Sequence, residues 1–181
     1  MQNTKIGNWK GTSNQGYIRR LVLVPSDDIS YLPYPTTLLG YDDSQTIPIA
    51  SVPIDPDTQT LSFEFRPKSC LYNLTQNPVN DGHIYNVSIQ GALPKLLAEV
   101  TKELEARKHI KWVAFLQDHN QNYYIAGTPD YPLVLSYGQS INDQSDTAIF
   151  LNGKLPFAPL NTTSLPTQTR TFLGTFSRAF A

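Results

Sequence analysis

Apolar and polar positions alternate over several short runs of this chain, and that alternation predicts most of its regular structure. Tyr17 to Val24 reads as a strand, and Leu61, Phe63 and Phe65 alternate with polar neighbours as a half-buried strand should. Ile84, Val87 and Ile89 mark a further strand from His83 to Gln90, with one slip in period around Tyr85 and Asn86 of the kind a bulge introduces. The segment Cys70 to Gln76 precedes it, and Asn77-Pro78-Val79-Asn80-Asp81-Gly82 between them is turn chemistry, so the pair predicts a hairpin. A second hairpin is predicted from Trp112 to Gln117 with Asn122 to Ala126, around Asp118-His119-Asn120-Gln121. Strands at Leu133 to Tyr137 and Thr147 to Leu151 follow.

Between the hairpins the period changes. Leu93, Leu97, Val100 and Leu104 recur at intervals of three and four, and Leu96 widens the same stripe. This predicts an amphipathic helix over residues 94–109, with Pro94 as its first residue, where a missing N–H costs nothing. The stripe should pack on the chain's own sheet. Glu103 and Arg107 are spaced to pair on the outer face. The pattern as a whole predicts a mainly β (α+β) fold, an antiparallel β-sandwich or barrel with one flanking helix and extended N- and C-terminal arms.

The arms follow from the proline-rich flanks. Residues 1–60 combine the first strand with Pro25, Pro33, Pro35, Pro48, Pro53 and Pro56, each of which favours extended backbone at itself and its predecessor. Residues 61–151 form the regular core, and residues 152–181 a tail rich in Pro, Thr and Phe. The flanks display more apolar groups than an irregular segment ordinarily carries. Tyr31, Tyr34, Leu38, Leu39, Phe157, Phe172, Phe176 and Phe180 are therefore the candidates for an assembly interface. The last three repeat every four residues and would align on one side of a helix, although Gly174 weakens helix formation. The other reading is that the flanks fold back onto their own core.

Composition narrows the functional classes. Among 181 residues only 16% are charged and the net charge is −1, so the surface rests on Ser, Thr, Asn and Gln, and no global field attracts nucleic acid or an anionic membrane. Charge is segregated: residues 1–24 hold Lys5, Lys10, Arg19 and Arg20 without an acid, while 25–64 hold seven acids, Asp27 to Glu64, without a base. The two segments either neutralise each other within one subunit or meet across neighbouring copies, where complementary charge sets register. Cys70, the single cysteine, allows no intrachain disulfide and sits among alternating neighbours as a buried strand thiol. No apolar run reaches the length of a membrane span and the N-terminus lacks a secretion signal, so synthesis in a cytoplasm is expected.

Motifs for catalysis are missing. His83, His109 and His119 lack the spacing of metal ligands. Gly138-Gln139-Ser140-Ile141-Asn142 lacks the second glycine of a nucleophile elbow. Asp55-Pro56-Asp57 begins like a calcium loop but has neither the central glycine nor the distal Glu, and a Pro-Asp turn explains it better. No glycine-rich loop is present to hold phosphate. No catalytic residue, cofactor-binding residue, metal ligand or cofactor is expected, and the chain is read as not an enzyme.

The order hairpin, helix, hairpin and further strands from about Cys70 to Leu151 is similar to that of tail-tube-like domains of phage tails and related injection machines. The segment from Tyr123 through Gly127-Thr128-Pro129-Asp130 to Leu133 resembles one met in virion structural proteins of Bacteroidetes phages. The resemblance covers roughly half the chain and transfers no residue role. It implies a structural subunit of a virion, in a tail tube, neck or baseplate ring, located in the virion. Its partners would be copies of itself and other virion proteins, with no membrane and no direct contact with nucleic acid beyond passage of DNA through a ring. The alternative is a carbohydrate-binding or adhesin-type module, for which ten tyrosines and two tryptophans supply stacking platforms, Tyr131 among them.

Overall fold

The structure, a computed structural model, describes residues 17–32, 46–79, 82–94, 98–141, 145–157 and 160–166. In chain order the strands are β1 (Ile18–Pro25), β2 (Thr46–Ile47), β3 (Leu61–Glu64), β4 (Cys70–Val79), β5 (Gly82–Pro94), β6 (Lys111–Asp118), β7 (Tyr123–Ala126), β8 (Leu133–Ile141), β9 (Ser145–Leu155) and β10 (Leu160–Thr162). One helix, α1 (Ala98–Ala106), lies between β5 and β6. Among the described residues the chain is thus mainly β with a single helix, as the alternation predicts. The sandwich or barrel takes the form of one open, mixed sheet, antiparallel except where β10 runs parallel to β2.

The sheet forks at β6. One edge of β6 pairs along its length with β1, which carries β3 on its far side. The other edge is shared: Ala114 to Gln117 face β7, while Lys111 and Trp112 face β8. Strands β7 and β8 are therefore one strand interrupted by an excursion over residues 127–132. Gly127 starts it at φ +85, and Thr128 and Tyr131 close it with two reciprocal backbone hydrogen bonds of 3.1 Å. A side chain would be strained at that φ, and a Cβ there would also stand 3.1 Å from Leu133 Cγ. Beyond the fork one branch continues through β10 to β2 and the other through β9 and β5 to β4.

Strands β1 and β6 are buried on both faces, which is why both read as nearly continuous apolar runs. Leu21, Leu23, Trp112, Ala114 and Leu116 point into the larger cluster with Phe63, Val87, Ile89, Leu133, Ile149 and Leu151. Val22, Val24, Val113 and Phe115 point the other way, against Ile29, Leu32, Ile47, Val52, Ile125 and Leu160. This second cluster is built from the described parts of the proline-rich stretch and of the tail, so those parts fold back onto their own subunit. They are not arms. The boundaries expected at 60/61 and 151/152 do not separate packing units, since β9 runs through the second and β2 pairs with β10 across both.

Several local expectations are corrected. Pro94 lies in β5 opposite Asp146 instead of in the helix, whose described residues run from Ala98 to Ala106. Leu93 belongs to the inward-facing series Val87, Ile89, Gly91, Leu93 of β5, a period of two that overlaps the helical stripe by chance. Leu96 and Leu97 lie outside the described residues. Val100 and Leu104 are buried as expected. No bulge interrupts the ladder at Tyr85 and Asn86; Tyr85 packs on the core and Ile84 is the residue out of phase. Arg107 does pair with Glu103, at 3.1 Å, but inside the fold and not on its outer face. Its guanidinium also donates to Gln59 O and Oε1, at 3.2 and 3.0 Å, tying α1 to the segment before β3. On the other side of α1, Tyr137 OH donates to Glu105 Oε2 at 2.8 Å and Gln139 Nε2 to Thr101 Oγ1 at 2.6 Å.

Candidate functional site: the free edge of strand β4

Three strands end the sheet among the described residues: β2, β3 and β4. The first has two residues and the second four, and short edges invite little pairing. β4 has ten and, among the described residues, pairs with β5 alone. The direction of its backbone groups follows from the register. Ala92 N–H donates to Ser69 O at 2.8 Å, so residues opposed across the ladder alternate from that bonded pair. Leu71, Asn73, Thr75, Asn77 and Val79 turn their backbone toward β5, opposite Gln90, Ser88, Asn86, Ile84 and Gly82. Tyr72, Leu74, Gln76 and Pro78 turn theirs toward the free edge. Pro78 thus occupies a position whose N–H no partner among the described residues would use, which is what permits a proline inside this strand. The turn expected over residues 77–82 shrinks accordingly, since β4 runs on to Val79 and β5 starts at Gly82.

Natural edges are commonly guarded by charged side chains, and β4 carries none in Cys70–Val79. Asn73 and Thr75 to Val79 are exposed, with Leu71 at 41% and Val79 at 45% of full exposure. The outer face farther along this branch, in β9 and β8, carries Asn152, Ser136 and Val134, the last 55% exposed, together with the exposed Lys154. On the inner face Gln76 Nε2 donates to Tyr85 OH at 3.3 Å. Tyr72 lies against the Tyr124 ring, with centroids 6.3 Å apart. Burial, aided by the neighbouring Tyr124, pushes the Tyr72 hydroxyl up to about 12, and burial alone pushes the Cys70 thiol up to about 12. The start of β4 is therefore anchored in the core while its remainder projects.

The two expected interface residues that are described, Tyr31 and Phe157, do not lie on β4. Tyr31 is exposed, at 59%, beside the second cluster. Phe157 packs against both clusters and meets the Tyr131 ring edge-on at 6.3 Å. It is half-buried where the two clusters approach each other. Tyr34, Leu38, Leu39, Phe172, Phe176 and Phe180 lie outside the described residues. The basic and acidic segments meet within one subunit where Arg20 bridges Glu64, in register between β1 and β3. The edge itself was readable in part, because ten successive residues without charge and a proline at an even position are visible in the sequence; that β4 ends the sheet was not.

Reactive groups remain dispersed. His83 lies in β5, His109 after α1 and His119 in the turn after β6, and among the described residues no three His, Cys, Asp or Glu side chains meet as metal ligands. Asp55 closes a turn by accepting from Asp57 N at 2.9 Å, as a Pro-Asp turn should. Gly138 to Ile141 lie within β8. The Glu105 carboxyl is held below its usual range by hydrogen bonds from Lys108 and then Tyr137, an exposed structural contact. Comparison of the chain with protein-family models, with curated proteins and with solved structures finds no match.

Proposed function

We propose that the protein is a non-enzymatic building block of a larger assembly, joining copies of itself edge to edge through β4. The observation that carries this reading is a ten-residue edge strand without a charged side chain. Unpaired N–H and C=O groups at such an edge are bound equally well by an identical strand. The resemblance of the Tyr123 to Leu133 segment supports a phage virion as the proposed setting, with other virion proteins as further partners and a tail, neck or baseplate as the location.

Magnitudes decide what form the association takes. Antiparallel self-pairing about Leu74 would close about six backbone hydrogen bonds, each contributing about 0.5–1.5 kcal/mol net. Association costs about 4–15 kcal/mol in lost freedom. A single β4 contact is therefore weak, and packing by Leu71 and Val79 or several contacts per copy must supply the rest. Sedimentation velocity of the full chain over a range of concentrations tests this. Reversible association is expected, abolished by Gln76→Pro, which removes an N–H from the free edge and, within the subunit, only the exposed side-chain hydrogen bond to Tyr85. A chain that stays monomeric throughout contradicts the reading.

A further inference from the structure

Where β2, β10 and β7 lie side by side, next to the turn that joins β6 to β7, the surface opens into a groove of about 440 Å³. That volume falls within the range of small-molecule sites, about 300–1,000 Å³. Its walls carry three hydroxyls, from Thr46, Thr162 and Thr163. They also carry three amides, from Gln121, Asn122 and Asn161, and two phenols, from Tyr123 and Tyr124. Each of these side chains both donates and accepts hydrogen bonds, and none is a cation or a carboxylate.

The groove is built rather than incidental. Asp118, 7% exposed, sits behind the turn and spends its carboxylate inside the protein. Its Oδ1 accepts from Asn120 N and Asn122 N, each at 2.8 Å, and its Oδ2 from Asn122 Nδ2 at 2.8 Å and Tyr124 OH at 3.3 Å. The acid therefore fixes the turn and offers no free acceptor to a ligand. Gln121, at the tip, is held at φ +66, where glycine would be relaxed and glutamine is strained. Strain kept at a groove wall preserves a side chain that glycine would lack. Thr162, 5% exposed, leaves its hydroxyl without a hydrogen-bond partner beneath the groove floor.

We propose that this groove binds a neutral saccharide of mono- or disaccharide size, read through Gln121, Asn161 and Thr163. Sugar hydroxyls donate and accept alike, so they match walls that do the same. Among the described residues the lining has no lysine or arginine for a phosphate, no carboxylate for a metal or an amine, and too many polar groups for a lipid chain. Thr163 Oγ1 accepts from Ile49 N at 3.2 Å and keeps its hydrogen to donate. Tyr123 OH accepts from Gln117 Nε2 at 3.1 Å and likewise keeps a hydrogen to donate.

Saturation-transfer NMR on the full chain tests the site, with lactose, maltose, cellobiose and N,N′-diacetylchitobiose as probes and inorganic phosphate as the charged control. Transfer to at least one sugar is expected, with no competition from phosphate. Gln121→Gly, which relieves backbone strain and so preserves the fold, should weaken binding about three- to tenfold, the effect of one lost hydrogen bond; Asn161→Ala should act similarly. Failure of all four sugars to receive transfer overturns the proposal. Transfer undiminished by both substitutions overturns it as well, since the sugar then binds elsewhere.

Discussion

Strands β6 and β4 are comparable in length and neither carries a charge between its ends, yet the two stand in opposite surroundings. β6 has β1 along one edge, β7 and β8 along the other, and side chains buried on both faces. β4 has a neighbour on one edge and a core on one face. The lack of charge in β6 is accounted for within the subunit, because a charged side chain there would be buried without a partner. For β4 nothing described within the subunit accounts for it. The same lack of charge therefore reflects packing in β6 and, on the proposed reading, an edge left open to another chain in β4.

The contrast is sharpest in stability. Trp112→Ala in β6 should cost about 3–5 kcal/mol, because the indole is fully buried and its space cannot refill. Urea unfolding checks this, and Leu71→Ala in β4 should shift the midpoint far less. The anchored start of β4 has its own signature in pH. The Cys70 thiol is raised from 9.0 to about 12, so the unfolded chain loses its proton first and stability present below pH 9 falls as pH rises toward 12. The shift sets the loss at on the order of 4 kcal/mol, and Tyr72, raised from 10.0 to about 12, adds to it in the same direction. Cys70→Ala should flatten the alkaline limb of the unfolding curve. Thiol reagents should leave native Cys70 unmodified.

Smaller effects separate the two edges of β4 from each other. Gly91, opposite Cys70, has no room for a methyl: its Cβ would stand 2.6 Å from Phe65 Cε1 and 3.2 Å from Ile149 Cγ1. Gly91→Ala should cost about 1–3 kcal/mol by overpacking. Asn77→Pro removes an N–H that faces β5 and should cost about 1 kcal/mol or somewhat more. Gln76→Pro, one residue away, removes an N–H that faces outward and should leave the thermal midpoint within the equivalent of about 0.5 kcal/mol. Equal destabilisation by the two prolines would show that the assignment of backbone directions along β4 is mistaken.

Local pattern made much of this fold legible, and the failures have physical reasons. The apolar runs of β1 and β6, the alternation of Leu61 and Phe63, and the Val100 and Leu104 face of α1 are local signals, and each is found where the pattern puts it. The helix start was misread because Leu93 satisfies a period of two and a period of three to four at once, and only the pairing of Pro94 with Asp146 decides between them. Ile29, Leu32 and Ile47 look unpartnered in the sequence because the face they cover, Val113 and Phe115, lies far along the chain. The groove beside Gln121 was not legible at all, since it depends on residues near 46, 122 and 162 meeting through the parallel pairing of β2 with β10.

Residue-resolved amide exchange of β4 against protein concentration tests the central claim most directly. The amides of Leu74 and Gln76 face the free edge and have no partner in the β4–β5 ladder, whereas those of Asn73 and Thr75 face β5. Free-edge pairing predicts that Leu74 and Gln76 exchange fast at low concentration and become protected as concentration rises, while Asn73 and Thr75 stay protected throughout. Exchange of Leu74 and Gln76 that is independent of concentration would contradict it.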